Sequence, residues 1–171
     1  TSDTARLAVK QARQIARECG VKIALTLSDP AMVQYARQGL DELLDDGVDL
    51  IFCNENEALL YTETDHIDVA LEKLKLLSND VVITLGSKGA LVANTEQHLQ
   101  VAGRKVIAVD TNGAGDAFSG AFLYSLNNGE DIQTAAELAI LISSEVVSQF
   151  GPRLDIQDYA KLQATLKREA V

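Results

Sequence analysis

The residues whose types and spacing could do chemistry are Gly113-Ala114-Gly115-Asp116, inside the stretch running from Val109 to Phe122. A helix that starts in Gly-Ala-Gly exposes unpaired N–H groups with almost no side chain in front of them. The positive end of the helix dipole adds to their pull on an anion, phosphate above all. Asp116 is the odd residue, because a carboxylate beside an anion hole opposes a role in binding alone. A base that takes a proton from an attacking hydroxyl would belong there. It could equally be a first-turn acid complementing the dipole, and spacing alone leaves the two readings level.

Several elements must hold this turn in place. Upstream, Val106-Ile107-Ala108-Val109 reads as a short buried strand. Downstream, Phe118, Phe122 and Leu126 share one face of a helix that Asn127-Asn128-Gly129 stops. Asp131 then caps a helix whose face of Ile132, Ala135, Ala136, Ala139, Ile140, Ser143 and Val147 is rich in small residues. The chain begins with an amphipathic helix over Thr4–Cys19 that places Leu7, Ala8, Ile15 and Cys19 inward and leaves Lys10, Arg13, Arg17 and Glu18 for water. Residues 21–27 read as a strand. Ser28-Asp29-Pro30 starts a helix through Leu44, on which Asp41, Glu42, Asp45 and Asp46 read as solvated acids.

Val48–Cys53 is the next apolar run, followed at once by Asn54-Glu55-Asn56-Glu57. Asn54 with Glu57 three residues on has the spacing of a capping box. The same pair, at the C-terminal edge of a strand, could also face a ligand crevice. A helix over Asp65–Leu77 leads to the β-branched run Val81-Val82-Ile83-Thr84, which enters a turn holding Gly86 and Gly89. Lys88 reads as a solvated turn residue, and His66 and His98 as surface residues. Residues 90–93, 97–101 and 105–109 read as short antiparallel strands, and Ile156–Glu169 as a closing helix.

The chain has 171 residues, 47% of them hydrophobic, and a net charge of −10, enough for one folded domain with a substantial core. It lacks a basic stripe, so nucleic acid and anionic membrane are poor partners. Cys19 and Cys53 read as small buried hydrophobes in a reducing compartment. With neither a signal peptide nor a membrane-length apolar run, the expected location is the cytoplasm.

Asp110-Thr111-Asn112-Gly113-Ala114-Gly115-Asp116-Ala117-Phe118-Ser119-Gly120-Ala121-Phe122 resembles the C-terminal signature of the ribokinase-like (PfkB) sugar and nucleoside kinases. Asn112 stands where that family more often has Thr or a Ser-like residue. The resemblance implies a three-layer α/β/α fold with a Rossmann-type, mainly parallel sheet and an antiparallel edge. It makes Asp116 the catalytic base and the acceptor-binding residue, and assigns the anion hole to Gly113, Ala114 and Gly115. Asn54 and Glu57 resemble the family's Asn-x-x-Glu motif, which helps position magnesium and phosphate, Glu57 acting through water. Thr84, Gly86 and Gly89 resemble its nucleotide loop. Asp110, the Asn112 carbonyl and Gly151 match a monovalent-cation loop, with K⁺ as the ion.

The implied cofactors are ATP and Mg²⁺, and the implied acceptor is a sugar or nucleoside. The segment Ser148-Gln149-Phe150-Gly151-Pro152-Arg153 is similar to adenosine-kinase-like members. The resemblance spans residues 1–171 as one α/β domain but only the family's C-terminal half, without the N-terminal substrate and lid part. That leads to the expectation of a fragment or truncated gene product, inactive alone and prone to self-association as a homodimer. Two other nucleotide folds fit poorly. After Leu27 the chain lacks the glycines of a dinucleotide fingerprint, and Gly113-Ala114-Gly115-Asp116 ends in an acid, without the lysine of a P-loop. A non-catalytic nucleotide-binding or regulatory module is the alternative from a different class.

Overall fold

A computed structural model describes residues 3–155, 157–159 and 161–162. The described residues group into two compact units, one drawn from residues 3–84 and 93–98 and the other from 85–92 and 99–162.

In the first unit, β2 (Val48–Asn54) is flanked by β1 (Ala24–Thr26) and β3 (Ser78–Thr84), both parallel to it. The register sets Leu25 opposite Ile51, Ile51 opposite Val81, and Asn54 opposite Thr84. A central parallel strand is covered on both faces, which is why Leu50, Ile51, Phe52 and Cys53 are all buried without alternation. Only three residues of the expected strand 21–27 pair as β1.

The helix expected from Pro30 to Leu44 is two, α2 (Pro30–Tyr35) and α3 (Arg37–Leu44), broken at Ala36 where the backbone leaves the helical region. Asp29 caps α2 by accepting from the Met32 N–H at 2.9 Å, with Pro30 in the first turn. Behind them lie α4 (Glu55–Thr62) and α5 (Ile67–Leu74), the latter shorter than its apolar pattern suggests, since the chain is already strand at Ser78.

The first helix, α1 (Asp3–Glu18), has the expected position and the opposite orientation. Leu7 is 69% exposed and Ile15 51%, whereas Arg13 is only 9% exposed. The cause is charge. Contrary to the expectation of no basic stripe, Arg6, Lys10, Arg13 and Arg17 form one at i, i+4, i+7 and i+11, which is taken up by the acids of α3 and the turn after it. Arg6 and Lys10 pair with Glu42 at 2.5 and 2.6 Å, and Arg17 with Asp46 at 2.9 Å. Arg13 reaches the Gly47 carbonyl at 3.0 Å. Asp41, likewise, accepts from the Tyr61 hydroxyl at 2.8 Å and from Arg37. Of the four acids Glu42 is half-buried by this docking, whereas Asp41, Asp45 and Asp46 stay exposed as expected. Cys53 is buried, but Cys19 is exposed, against the expectation for it.

Arg6 and then Lys10 hold the Glu42 carboxyl down at about 2, against an ordinary 4.5. A depressed carboxylate contributes stability that is complete above its unfolded value and is lost as pH falls through the folded one. The protection factors of the α1 amides should therefore fall as pH drops from about 4.5 through about 2, ahead of those of β2 and β3. Equal protection of α1 and the sheet at both ends of that range would contradict this docking.

β4 (Gly89–Ala93) and β5 (His98–Ala102) are neighbouring strands, and in the turn between them, which groups with the first unit, the Asn94 side chain accepts from the Glu96 and Gln97 N–H groups. Then α6 (Ala114–Asn127) packs on α7 (Ile132–Val147), whose cap is Asp131, accepting from the Thr134 N–H at 2.8 Å. The small residues of α7 allow close approach, and the helix is buried well beyond the expected face: Leu138, Leu141, Ile142 and Val146 are buried as well.

Residues 105–109 are not the expected buried strand. They pair in no ladder, and Ile107 is 85% exposed. Instead the N–H groups of Val109 and Asp110 donate to the Val147 carbonyl at the end of α7, at 2.8 and 3.2 Å. A helix C-terminus with open carbonyls took donors that the apolar pattern would assign to a ladder. The closing helix expected over 156–169 lies mostly outside the described residues; 157–159 and 161–162 are helical. Among the described residues no helix is long and apolar enough to cross a membrane.

Candidate functional site

The turn before α6 is held by Asp110. Its carboxylate accepts from the Asn112 N–H at 2.9 Å and from the Gly151 N–H at 3.2 Å. Those two bonds, the Asn112 one first, keep its pKa below the usual carboxylate range. The structure thus brings together Asp110, Asn112 and Gly151, the three residues that the resemblance links to a monovalent cation. It does so through N–H donors on the carboxylate itself. Gly113 follows in the left-handed region, φ +77°, as the N-cap of α6. A Cβ there would lie 2.5 Å from the Pro152 Cβ and 2.6 Å from its carbonyl, so the Gly151-Pro152 segment presses directly on this turn.

Four N–H groups at a helix start lack intrahelical acceptors. In α6 the Ala114 N–H donates to the Thr111 carbonyl at 3.3 Å, and regular bonding begins with Ala117 to Gly113 at 2.9 Å. Among the described residues the N–H groups of Gly115 and Asp116 have no acceptor. The Gly113 N–H likewise has no acceptor among the described residues, so of the three expected amides only that of Ala114 is engaged. A Cβ on Gly115 would meet nothing within 4 Å, so the approach to the open donors there is clear. Asp116 is exposed and points into a cavity of about 700 Å³, not into the core. Small residues of α6, Ala117, Gly120 and Ala121, form one wall of that cavity, and Tyr124, Arg153 and Tyr159 stand around it.

In the first unit, Asn54 and Glu57 form the capping box of α4. The Asn54 side chain accepts from the Glu57 N–H at 2.9 Å, and Glu57 accepts from the Asn54 N–H at 3.0 Å. The second Glu57 oxygen accepts from the Asn54 side-chain amide at 2.5 Å. Glu57 is 3% exposed, and burial raises its pKa, against the Asn54 N–H bond and with the Asp29 charge adding to the rise. Because both oxygens are already engaged, Glu57 fits a magnesium only through water. Among the described residues no cluster of three metal-ligating side chains exists. Asn54→Ala should cost about 1 kcal/mol, a typical cap loss, read as a lowered urea midpoint at unchanged slope. An unchanged midpoint would contradict the capping role.

Thr84 stands opposite Asn54 at the C-terminal edge of the parallel strands. Gly86 and Gly89 bound a short turn of 3₁₀ helix in the second unit, closed by the Leu85 N–H donating to the Gly89 carbonyl at 2.8 Å. The two glycines do different things. Gly86 has φ +59° with open space at its Cβ position, so its backbone is approachable. Gly89 is pressed against β5, where a Cβ would sit 1.9 Å from the Val101 carbonyl oxygen. Gly103 mirrors it, its Cβ position lying 2.3 Å from the Ser87 carbonyl. Gly103 escapes a reading for chemistry because nothing around it forms a motif; its signal is a glycine immediately after a strand. Pro152, Arg153 and Tyr159 are likewise invisible as a group until the chain folds them around one cavity.

The model of the pfkB family carbohydrate kinases matches residues 2–158. The chain is 33% identical over 154 residues to the ribokinase of Lactococcus lactis, covering 90% of this chain and 49% of that protein. The adenosine kinase of Sinorhizobium meliloti superposes with a TM-score of 0.85 at 34% identity, over 96% of this chain and 49% of that one. The fructokinase of Vibrio cholerae, solved with fructose, ADP and calcium, gives 0.82 at 27%, over 98% and 56%. The fold is that of the ribokinase-like three-layer α/β/α kinases, a mainly parallel sheet between helices. The chain spans about half the length of these relatives.

Proposed function

Because the chain belongs to the pfkB family of carbohydrate kinases, we propose that it is the nucleotide-binding and catalytic part of an ATP-dependent phosphotransferase. The reaction moves the γ-phosphate of ATP to a hydroxyl of a small sugar or nucleoside, with an adenosine- or ribose-like acceptor favoured. The observation that carries this reading is the exposed carboxylate of Asp116 in a cavity, one residue from open, unshielded amides.

Asp116 takes the proton of the acceptor hydroxyl as it attacks. The amides of Gly115 and Asp116, with those of Gly113 and Ala114 beside them, hold the charge that develops on the transferring phosphoryl oxygens. Asn54, Thr84, Gly86 and Gly89 lie along the nucleotide. Glu57 orients water on magnesium, an ion that when bound neutralises phosphate charge. A monovalent cation, K⁺, belongs to the turn of Asp110, Asn112 and Gly151. The protein works in the cytoplasm, and this chain by itself is inactive and self-associates. The experiment is a paired assay of Mg-ATP binding and phosphoryl transfer, on this chain and on a protein that contains it with a complete acceptor half. Transfer by the complete protein supports the kinase. Nucleotide binding without turnover in the complete protein would make it a binding or regulatory module.

A further inference from the structure

Among the described residues, the cavity beside Asp116 is lined by one charged residue besides that carboxylate: Arg153. Among the described residues its guanidinium has no hydrogen-bond or ion-pair partner, although most arginines of this acidic chain are paired. The loop carrying Arg153 is fixed at three points. Gly151 donates to Asp110, Pro152 rests on Gly113, and the Gln149 side-chain amide donates to the Arg153 carbonyl at 2.8 Å. Leu154, the next residue, is buried with Leu138, Ile142 and Val146. The backbone on both sides of Arg153 is thus tied down while its side chain is left without a partner. The fixed backbone spares the loop an ordering cost when Arg153 meets an anion, and the arginine fork suits phosphate oxygens.

A charge requirement points the same way. A phosphoryl group at the start of α6 meets the Asp116 carboxylate, and the sequence carries no P-loop lysine to offset it. We propose that Arg153 is the cationic arm of the phosphoryl site, reaching across the cavity to the oxygens of the group that passes Asp116. This rests on the kinase reading above and adds a residue to it. The segment Gly151-Pro152-Arg153 is then one device: glycine and proline lock the loop to the turn before α6, and the arginine supplies the charge.

The test is a titration of the chain with inorganic pyrophosphate, followed by the amide ¹H–¹⁵N shifts of Gly113, Gly115 and Asp116, in wild type, Arg153→Ala and Arg153→Lys. Loss of one charge-assisted contact should weaken Arg153→Ala about tenfold, or 1.4 kcal/mol. Arg153→Lys should recover most of that loss, and the salt dependence should flatten in Arg153→Ala alone. A purely structural role would not be rescued by lysine or change the salt slope. Saturating shifts of equal midpoint in wild type and Arg153→Ala would overturn the role of Arg153 and leave the α6 site standing. Absence of shifts at Gly115 and Asp116 in wild type would overturn both.

Discussion

Gly89→Ala should destabilise the second unit by about 3 kcal/mol or more, which places it among the severe single substitutions. Two effects add. Gly89 has φ +102° and ψ −129°, a backbone conformation that side chains avoid at a cost of about 1–3 kcal/mol. Its Cβ would also sit 1.9 Å from the Val101 oxygen, 2.5 Å from the Gly103 nitrogen and 2.7 Å from the Ala102 carbonyl carbon. All three are backbone atoms of β5 or the residue after it, so relief requires β5 to move away from β4. Gly86→Ala is the control: left-handed at φ +59° but with open space around it, it should lose only about 1–2 kcal/mol. Thermal unfolding separates them, with a fall beyond about 10 °C for Gly89→Ala and a few degrees for Gly86→Ala. A Gly89→Ala protein melting with wild type would contradict the close approach of the two strands.

That contrast shows what a motif can and cannot convey. Gly86 and Gly89 both fall in the turn that resembles a nucleotide loop, yet one is open and the other is packed against β5. The difference is set by Val101 and Gly103, which are remote from the turn in sequence. Local signals with a local cause were readable. Asp29 with Pro30, Asn54 with Glu57, Asp131 and Gly129 all mark helix ends as expected, because a cap is satisfied within four residues of itself. The parallel strand around Ile51 was readable because burial on both faces removes alternation.

Orientation was not readable. The pattern of α1 defines an apolar and a cationic face, but which face turns inward depends on Glu42 and Asp46, some 30 residues away. For Val106–Val109 the apolar run is real; the open carbonyl of Val147 decides what its end bonds to. The cavity at Asp116 shares this character. Gly113 to Asp116 were legible as a unit, whereas Pro152, Arg153 and Tyr159 join them only through the fold.

The larger functional effect belongs to Asp116. Asn keeps the size and shape of the side chain and removes the capacity to accept a proton. Removing a general base typically costs about 10²- to 10⁴-fold in rate, so Asp116→Asn should slow phosphoryl transfer by that factor. Mg-ATP should still bind, since the open amides of Gly115 and Asp116 belong to the backbone and survive the change. Stability should also survive, because Asp116 is exposed and takes no part in the packing of α6 on α7.

The most direct test measures transfer and nucleotide occupancy in the same samples of a protein that contains this chain together with an acceptor-binding half, wild type and Asp116→Asn, at saturating Mg-ATP with a panel of sugars and nucleosides. The expected result is equal occupancy, with transfer in wild type and a loss of at least about 100-fold in the variant. Transfer by Asp116→Asn at the wild-type rate would contradict the assignment of Asp116 as the base, and with it the chemistry placed at the start of α6.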